Sequence, residues 1–441
     1  MFSRAAITLL LMVLTTATAW AQTTETVSYI DADGNTQSHE ATVLTGGSNT
    51  SLAAGWYVVN SDISYTGSIN LSGSVNLILC DGYTISTKYI NTDYSHNLTI
   101  YGQTNGTGTL NCNNSDFNAI STYGNVSIIG GTVNAKGPTG IFAGGTLLIS
   151  GGTVTAESFM YAINSNHNVN ISGGNVTVIG TIRSSKGTIT LGWTNATDRI
   201  KAGSYDGTVN IASGKAFTID GTDIYTGNGV SISGINKILQ PAVPITLNDG
   251  ITAVSDIITS GENHYAQVGQ TVTVNTSNVT VPEGYTSGVT VTPNTVTVTD
   301  NNDFTYSFTM PAEDVTVSAA LIRNTYYVHF DGNGNTGGSM SNQTFTYDEA
   351  QQLTANSFTR TGYSFKGWST TSDGEVQYAN EQSVSNLTAT NGKTVTLYAQ
   401  WVIPIPYIDE NGVQQQCTDY TPIADVPQND DESRTLTAGQ W

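Results

Sequence analysis

The chain has 441 residues, with 34 Asp and Glu against 14 Lys and Arg, so its formal net charge is −20 at pH 7. So few cations exclude nucleic acid as a partner, because phosphate binding needs clustered Lys and Arg, and they argue against direct membrane insertion. Three cysteines are too few for a disulfide framework or a zinc site. We interpret Cys80 and Cys112 as buried thiols, and a single bridge between them is the open alternative.

The first 21 residues have the features of a secretory signal peptide. Arg4 precedes an apolar run that ends at Leu14, and the segment closes with the A-x-A pattern Ala19-Trp20-Ala21. The apolar run is too short to span a membrane. We therefore expect a secreted or bacterial cell-surface protein. Residues 22–67 are expected to form a β hairpin that caps the following region.

A repeat of about 22 residues dominates 68–240. The decapeptides VSIIGGTVNA, LLISGGTVTA and VNISGGNVTV start at Val126, Leu147 and Val169, so the offsets are 21 and 22 residues. Aligning them gives three apolar columns: Ile120, Ile141 and Ile163; Val126, Leu147 and Val169; and Val133, Val154 and Val176.

A unit of this length cannot bury its apolar side alone, whereas stacked units share a continuous core. The repeat therefore predicts a right-handed parallel β-helix of about six to eight coils between Ser68 and Leu239. Each Gly-Gly pair would lie at a sharp corner, where glycine tolerates positive φ. A sandwich of hairpins is the alternative, but it does not predict three columns that recur together.

Two proline-containing stretches follow the repeat. Pro241 and Pro244 interrupt the strand pattern, so 241–250 is interpreted as a linker. Residues 251–322 alternate Thr and Val and predict a small antiparallel β domain. The predicted fold class is thus all-β, a parallel β-helix followed by small β-sandwich or β-grasp-like modules.

Residues 326–401 carry the most specific pattern of the chain: YYVHFDGNGNTGGSM, FTRTGYSFKGWST, VQYAN and TVTLYAQW. This segment resembles the Listeria–Bacteroides repeat, also called the internalin B-type B-repeat. Its signature positions are Gly362, Phe365, Gly367, Trp368, Leu397, Tyr398 and Trp401. The resemblance implies a small β-grasp-like domain of surface and secreted proteins. We expect its aromatic residues to form a core: Phe330, Tyr363, Phe365, Trp368, Tyr398 and Trp401.

The C-terminal residues repeat the N-terminal ones. YIDENGVQQQ at 407–416 matches YIDADGNTQ at 29–37. We expect 402–441 to be the start of a second N-terminal-type module that is truncated at Trp441. A short C-terminal β piece that reuses the hairpin is the alternative.

The repeat region offers little for catalysis. Polysaccharide-active β-helix enzymes need clustered carboxylates, either as an acid–base pair or as calcium ligands, yet Glu157 is the one carboxylate between Ala119 and Gly180. We therefore predict no catalytic residue, cofactor or metal, with a polysaccharide lyase or glycoside hydrolase as the alternative function. The acidic turns at 31–35, 331–337 and 409–412 leave structural calcium as a minor alternative, because such turns are also ordinary hairpin chemistry.

Outward Thr and Asn ladders and 22 tyrosines favour binding by stacking and hydrogen bonds. The expected function is a non-enzymatic adhesin or scaffold whose partner is an extracellular polysaccharide or a host or bacterial surface protein. Trp193 would lie near an exposed loop with a local ion pair, from Asp198 to Asp206. The candidate ligand-binding residues are Tyr123, Tyr161, Asn170, Asn175, Trp193, Asp198, Arg199 and Asp206.

Overall fold

The computed structural model describes residues 23–92, 94–232, 236–255 and 257–418. The predicted signal peptide lies outside these ranges. Within them the chain forms strands and no α-helix, so the all-β prediction is confirmed. These ranges therefore contain no helix of the length and apolarity that a membrane span requires.

An N-terminal hairpin precedes the repeat region. It consists of β1 (Thr24–Ile30) and β2 (Thr36–Val43), which pair antiparallel. The hairpin lies on the outside of the first coils, where Val27 and Ala41 are buried with Val58 and Ile78. Val58 and Ile78 are outward positions of their strands, so the hairpin covers apolar surface that would otherwise be exposed.

The repeat region is a parallel β-solenoid of about 7 turns at residues 50–211, which confirms the predicted parallel β-helix. Its strands, in chain order, are β3 (Thr50–Leu52), β4 (Gly55–Val59), β5 (Ile63–Ser64), β6 (Ser68–Leu71), β7 (Val75–Leu79), β8 (Thr84–Thr87), β9 (Tyr89–Asn91), β10 (Leu98–Gly102), β11 (Thr109–Asn113), β12 (Ile120–Thr122), β13 (Val126–Ile128), β14 (Thr132–Lys136), β15 (Thr139–Ala143), β16 (Leu147–Ile149), β17 (Thr153–Ser165), β18 (Val169–Ile171), β19 (Asn175–Leu191) and β20 (Arg199–Ile211).

Strands of successive coils pair in parallel along three sides. Side 1 contains β4, β7, β10, β13, β16 and β18. Side 2 contains β5, β8, β11, β14 and the first part of β17, and side 3 contains β3, β6, β9, β12, β15 and the last part of β17. The long strands β19 and β20 pass through all three sides.

The three predicted apolar columns are in register, one on each side. Ile120 pairs with Ile141, Val126 with Leu147, and Val133 with Val154. All members of the columns are buried in one continuous core. Since burial of each apolar side chain depends on the coils above and below, the solenoid is stabilised by stacking.

Glycines form the predicted corner between sides 1 and 2. Gly131, Gly152 and Gly174 have φ of 76°, 77° and 89°. A Cβ atom on Gly152 would lie 2.4 Å from the carbonyl oxygen of Gly131 in the coil below. The second glycine of each pair is therefore required both for the backbone conformation and for close packing of the coils.

The solenoid begins earlier than the repeat in the sequence suggests. Residues 50–64 form a full first coil, although we expected them to belong to a cap. This coil lacks a Gly-Gly pair and has Trp56 and Tyr57 on side 1, so its sequence does not match the later units. Its backbone pairing is nevertheless the same, because parallel pairing requires only inward apolar residues in register.

The expected linker at 241–250 is instead part of a strand. The region after the solenoid contains β21 (Ala216–Ile219), β22 (Asp223–Tyr225) and β23 (Ile238–Leu247). One end of β23 pairs antiparallel with β20 and β21, so that Ile200 lies opposite Leu239. Pro241 and Pro244 are tolerated because the chain turns from one sheet partner to another along this strand.

The other end of β23 enters the next module. Its remaining strands are β24 (Thr252–Ala253), β25 (Ile258–Ser260), β26 (Asn263–Gln267), β27 (Thr271–Asn275), β28 (Tyr285–Thr292), β29 (Thr299–Asp300), β30 (Thr305–Thr309) and β31 (Val315–Arg323). The pairs are antiparallel except for β23 and β31, which are parallel. Val243 and Ile245 of β23 belong to the same hydrophobic core as the solenoid, so the two regions share one core.

Residues 325–402 fold around a separate core. The strands are β32 (Thr325–Asp331), β33 (Gln343–Thr346), β34 (Gln351–Gln352), β35 (Ser364–Ser369), β36 (Ser383–Val384) and β37 (Thr394–Val402). Phe330 and Trp368 are buried, and Phe365 and Trp401 pack against them, as expected. Tyr363 differs from the expectation, because its ring is exposed and lies under the guanidinium of Arg360 at 4.1 Å.

The C-terminal hairpin, β38 (Ile405–Ile408) and β39 (Gln414–Cys417), has the same turn as the first hairpin. Asp31 Oδ1 accepts hydrogen bonds from the backbone N–H of Asp33 and Asn35. Asp409 Oδ1 accepts them from Asn411 and Val413 in the same way. The sequence repeat is therefore also a structural one as far as residue 418, and the rest of the expected module lies outside the described residues.

Candidate functional surface

Side 1 offers little free aromatic surface at its N-terminal end. Trp56 and Tyr101 stack with ring centroids 5.2 Å apart, and His39 and Tyr29 of the hairpin pack against Trp56. These rings hold the hairpin on the solenoid. Asn170, one of the predicted ligand-binding residues, lies further along side 1, between Leu148 and Thr190 of the adjacent coils.

Side 2 carries the predicted ladder of hydroxyl and amide groups. Thr132, Thr153 and Asn175 are aligned on consecutive coils. In a neighbouring column, Asn134 Nδ2 donates to Asn111 Oδ1 at 2.9 Å. The ladder is regular and polar, and the predicted residue Asn175 lies on it, away from Asn170 on side 1.

The segment at Asp198 differs from the expected exposed loop. Asp198 is 5% exposed, and its carboxylate accepts from the backbone N–H of Gly174, Thr194 and Asn195. Arg199 Nη1 donates to the carbonyl oxygens of Ala196 and Asp198. Asp198 thus satisfies backbone groups of its own turn and of Gly174 on the adjacent coil, and Arg199 satisfies carbonyl oxygens of its own turn.

Trp193 is also a structural residue. It is 3% exposed, and its Nε1 donates to the carbonyl oxygen of Ala216 at 2.8 Å. Lys215 Nζ lies over the face of the Trp193 ring, 3.8 Å from the ring centre. The indole N–H and the ring face of this candidate ligand-binding residue are thus both in contact with the chain itself.

Side 3 brings two of the predicted residues together. The guanidinium of Arg183 lies over the Tyr161 ring at 4.6 Å, and its Nε is 3.3 Å from Oδ2 of Asp206. Asp206 therefore pairs with Arg183 rather than with Arg199. Tyr123, a third predicted residue, is exposed near the same side, and its ring makes an edge contact with Phe142.

The corner between sides 2 and 3 varies in length from coil to coil. Three residues, 158–160, separate Glu157 from Tyr161, but only Gly180 separates their partners Ile179 and Thr181 on the next coil. The longer corner pushes Phe159 and Met160 outward, and Phe159 is 90% exposed. In repeat proteins, insertions of this kind collect on one face, which is often the binding face.

A groove opens beside this insertion. We call it the corner groove; it has a volume of about 390 Å³ and is lined by residues 113–115, 136–138, 157–159 and Ile179. A second depression of about 340 Å³ continues from it onto side 2 and shares Asn113, Lys136 and Glu157 with it. The two together form an elongated binding surface, within the usual size range of ligand sites.

The corner groove combines apolar and polar groups. Phe159 and Ile179 are exposed, and Pro138 lies at the corner that follows Lys136 on the same coil. Lys136 Nζ is 2.6 Å from Oε1 of Glu157. Exposed apolar side chains next to paired donors and acceptors are typical of sites that bind amphiphilic ligands.

Asn114 lies at the edge of the corner groove with an incomplete set of hydrogen bonds. The residue is 8% exposed, and its Oδ1 accepts from the backbone N–H of Asp116 at 3.0 Å. Its Nδ2 has no acceptor among the described residues. Buried amide donors are nearly always paired in folded proteins. Because this Nδ2 atom is itself buried, only an acceptor that reaches below the surface of the groove can pair with it.

The lining of the corner groove contains few groups that take part in acid–base chemistry. Glu157 is the one carboxylate among them, whereas hydrolysis of a glycosidic bond requires two. The described residues contain no group of three or more His, Cys, Asp or Glu placed to hold a metal ion. At the acidic turns, both oxygens of Asp31 already accept hydrogen bonds, from backbone N–H groups and from Gln37.

Comparison with known families identifies the domain with the separate core. Residues 326–400 match the Listeria–Bacteroides repeat domain. In this repeat domain, the parallel pair β32 and β37 and the bulge at Gly367 surround Trp368. Listeria–Bacteroides repeat domains are typical of extracellular or surface proteins. Comparison of the chain with curated proteins gives no match.

The corner groove does not follow from the aligned apolar columns, because Phe159 lies outside them and Glu157 is the one carboxylate between Ala119 and Gly180. A signal was present in the spacing of the columns. Val154 and Ile163 are nine positions apart, whereas Val176 and Ile182 are six apart. The difference marks an insertion that contains two large apolar residues where the next coil has glycine.

Proposed function

We propose that the protein is an extracellular scaffold that binds glycans in the corner groove and holds this groove on a stiff β column. The exposed ring of Phe159 beside the Lys136–Glu157 pair is the observation that carries the proposal. Sugars bind by laying their C–H faces on aromatic rings while side chains exchange hydrogen bonds with their hydroxyl groups. The corner groove offers both kinds of contact on one corner of the solenoid.

The connection between the solenoid and the next module supports the role of a stiff column. Strand β23 pairs with β20 and β21 at one end and with β26 and β31 at the other. A relative rotation of the two regions would break these backbone hydrogen bonds and expose the shared core. The arrangement therefore favours a fixed direction for the corner groove.

The presence of a Listeria–Bacteroides repeat domain supports an extracellular location. Thr, Asn and Ser make up most of the outward surface of the coils, and such side chains interact with sugar hydroxyl groups without a charge. A protein partner on a host or bacterial surface is the alternative to a polysaccharide, and we favour glycans because an exposed aromatic ring and a hydrogen-bonding charged pair lie side by side in the corner groove.

The test is retention of the full chain on an array of plant, microbial and mucin glycans. We compare the natural protein with Phe159→Ala and with Phe304→Ala, which removes an exposed phenylalanine of the second module. We expect binding to at least one glycan class that Phe159→Ala reduces by ten-fold or more and Phe304→Ala leaves unchanged. Absence of retention, or equal loss in both variants, would contradict the proposal.

A further inference from the structure

We infer that the corner groove is selective for glycans that carry an acetamido group, that is, N-acetylated amino sugars. This inference rests on the proposed function and names the ligand class. It follows from the juxtaposition of an apolar slot, a charge-neutral Lys136–Glu157 pair and the unpaired amide of Asn114 within one groove.

The apolar slot fits a methyl group. Pro138, Phe159 and Ile179 line the same groove, and the two outward side chains come from consecutive coils. Ile179 is the residue opposite Glu157 on the next coil, so an aliphatic side chain directly follows a charged one in the same column. A simple hexose presents only hydroxyl groups around its ring, whereas an acetamido arm ends in a methyl group that gains from burial against these side chains.

The charged pair fits a neutral polar ligand. The positive charge of Lys136 and the negative charge of Glu157 cancel at the edge of the groove. An acidic sugar would have to compete with Glu157 for the ammonium group, in a chain whose formal net charge is −20. A neutral amide does not have to break the pair, because its N–H can donate to the carboxylate and its carbonyl can accept from the ammonium group.

Asn114 adds a donor that an acetamido carbonyl can use. Its Oδ1 is held by the backbone N–H of Asp116, so the orientation of the side-chain amide is fixed. The remaining Nδ2 has no acceptor among the described residues. A carbonyl oxygen on a projecting arm reaches further below the surface of the groove than a hydroxyl group attached to the ring, and it is also the stronger acceptor for an amide.

The experiment is titration calorimetry of the full chain with N,N′,N″-triacetylchitotriose, called chitotriose below, and with cellotriose, which has the same linkage and carries hydroxyl groups in place of the acetamido groups. We expect chitotriose to bind at least ten-fold more tightly. Ile179→Ser should remove most of this preference, because it replaces the aliphatic wall at an exposed position where the fold does not depend on it.

Equal affinity for the two trisaccharides would overturn the inference and leave the proposed function in place. Tighter binding of cellotriose, or binding of neither sugar while the array retains other glycans, would also overturn it. Loss of retention on every glycan of the array contradicts the proposed function itself. Asn114→Asp gives a second measurement, since it removes the Nδ2 donor and keeps the Oδ1 acceptor. It should lower the ratio of the chitotriose affinity to the cellotriose affinity, and an unchanged ratio would contradict a contact between Asn114 and the acetamido carbonyl.

Discussion

Lys136 and Glu157 occupy the same outward column on adjacent coils of side 2, and Lys136 Nζ lies 2.6 Å from Oε1 of Glu157. Their side chains are 58% and 37% exposed. An exposed pair of this kind contributes only about 0–1 kcal/mol to the free energy of unfolding. Its position at the groove suggests that its main role is in binding.

Substitutions in the Lys136–Glu157 pair should therefore weaken glycan binding while leaving the free energy of unfolding nearly unchanged. We expect Lys136→Met and Glu157→Gln each to change the free energy of unfolding by less than about 1 kcal/mol, measured by urea denaturation. Each should weaken glycan retention by ten-fold or more. Lys237→Met is the matched control, since it breaks an exposed pair with Asp220 far along the chain from the groove. A large decrease in the free energy of unfolding of Glu157→Gln would contradict this prediction, because it would mean that the pair stabilises the fold.

The solenoid should respond very differently to charge on the two faces of one strand. Ile149 is fully buried, and Leu148 faces outward next to it in β16. Burying an unpaired carboxylate costs several kcal/mol. We therefore expect Ile149→Asp to unfold the solenoid cooperatively and Leu148→Asp to be tolerated, as measured by thermal unfolding with circular dichroism. A folded Ile149→Asp protein with an unchanged midpoint would contradict the parallel stacking.

Alanine substitutions at two glycines with the same backbone conformation should distinguish the cost of the left-handed backbone from the cost of crowding between coils. Gly152 and Gly214 have φ of 77° and 73°, but a Cβ on Gly152 would lie 2.4 Å from a backbone oxygen, whereas a Cβ on Gly214 would meet no atom within 4 Å. We expect Gly214→Ala to cost about 1–2 kcal/mol from the left-handed backbone alone. Gly152→Ala should cost about 1–3 kcal/mol more because of overpacking. Equal losses in urea denaturation would show that the coils can move apart.

The two hairpin turns should depend on ionised aspartates. The pKa of Asp31 is lowered by hydrogen bonds from Gln37 and from the backbone N–H of Asn35, and the pKa of Asp409 is lowered by those from Val413 and Gln415. Because each folded pKa lies below the unfolded value, the stabilisation is present above about pH 4 and is lost as the pH falls through the folded pKa.

Carboxyl-carbon NMR titration measures both groups directly. We expect Asp31 and Asp409 to titrate below the ordinary range for aspartate, and Gln37→Ala to raise the pKa of Asp31 alone. A normal value for either carboxyl in the natural protein would mean that its turn does not form in solution.

The parts of the fold that follow from periodicity could be predicted, and those that depend on distant partners could not. The register of Ile120 with Ile141 is readable because a constant period places identical positions on top of each other. The burial of Trp193 could not be predicted from the sequence, because it depends on contacts with Lys215 and Ala216, which come from a later part of the chain. In the same way, Ile238–Leu247 contains two prolines that normally mark a loop, and only its sheet partners make it a strand.

The candidate site residues show a similar difference between what the sequence indicates and what depends on contacts in the fold. Tyr161 and Asp206 lie together on side 3 because Arg183, on the coil between them, contacts both side chains. Asp198 and Arg199 looked like a functional loop because charged residues are scarce there, yet they satisfy backbone groups. The corner groove lies where the coil after residues 158–160 is shorter: Ile141 and Ile163 are 22 residues apart, whereas Ile163 and its next partner Ile182 are 19 residues apart.

The most direct test of the central claim is methyl NMR of the full chain during titration with a glycan that the array retains. Met160 and Ile179 flank the corner groove, whereas Met310 is buried in the second module and Ile408 lies in the C-terminal hairpin. We predict that the Met160 and Ile179 methyl signals shift in proportion to bound glycan while those of Met310 and Ile408 stay in place. Saturable binding that leaves Met160 and Ile179 unchanged would contradict the assignment of the corner groove as the binding site.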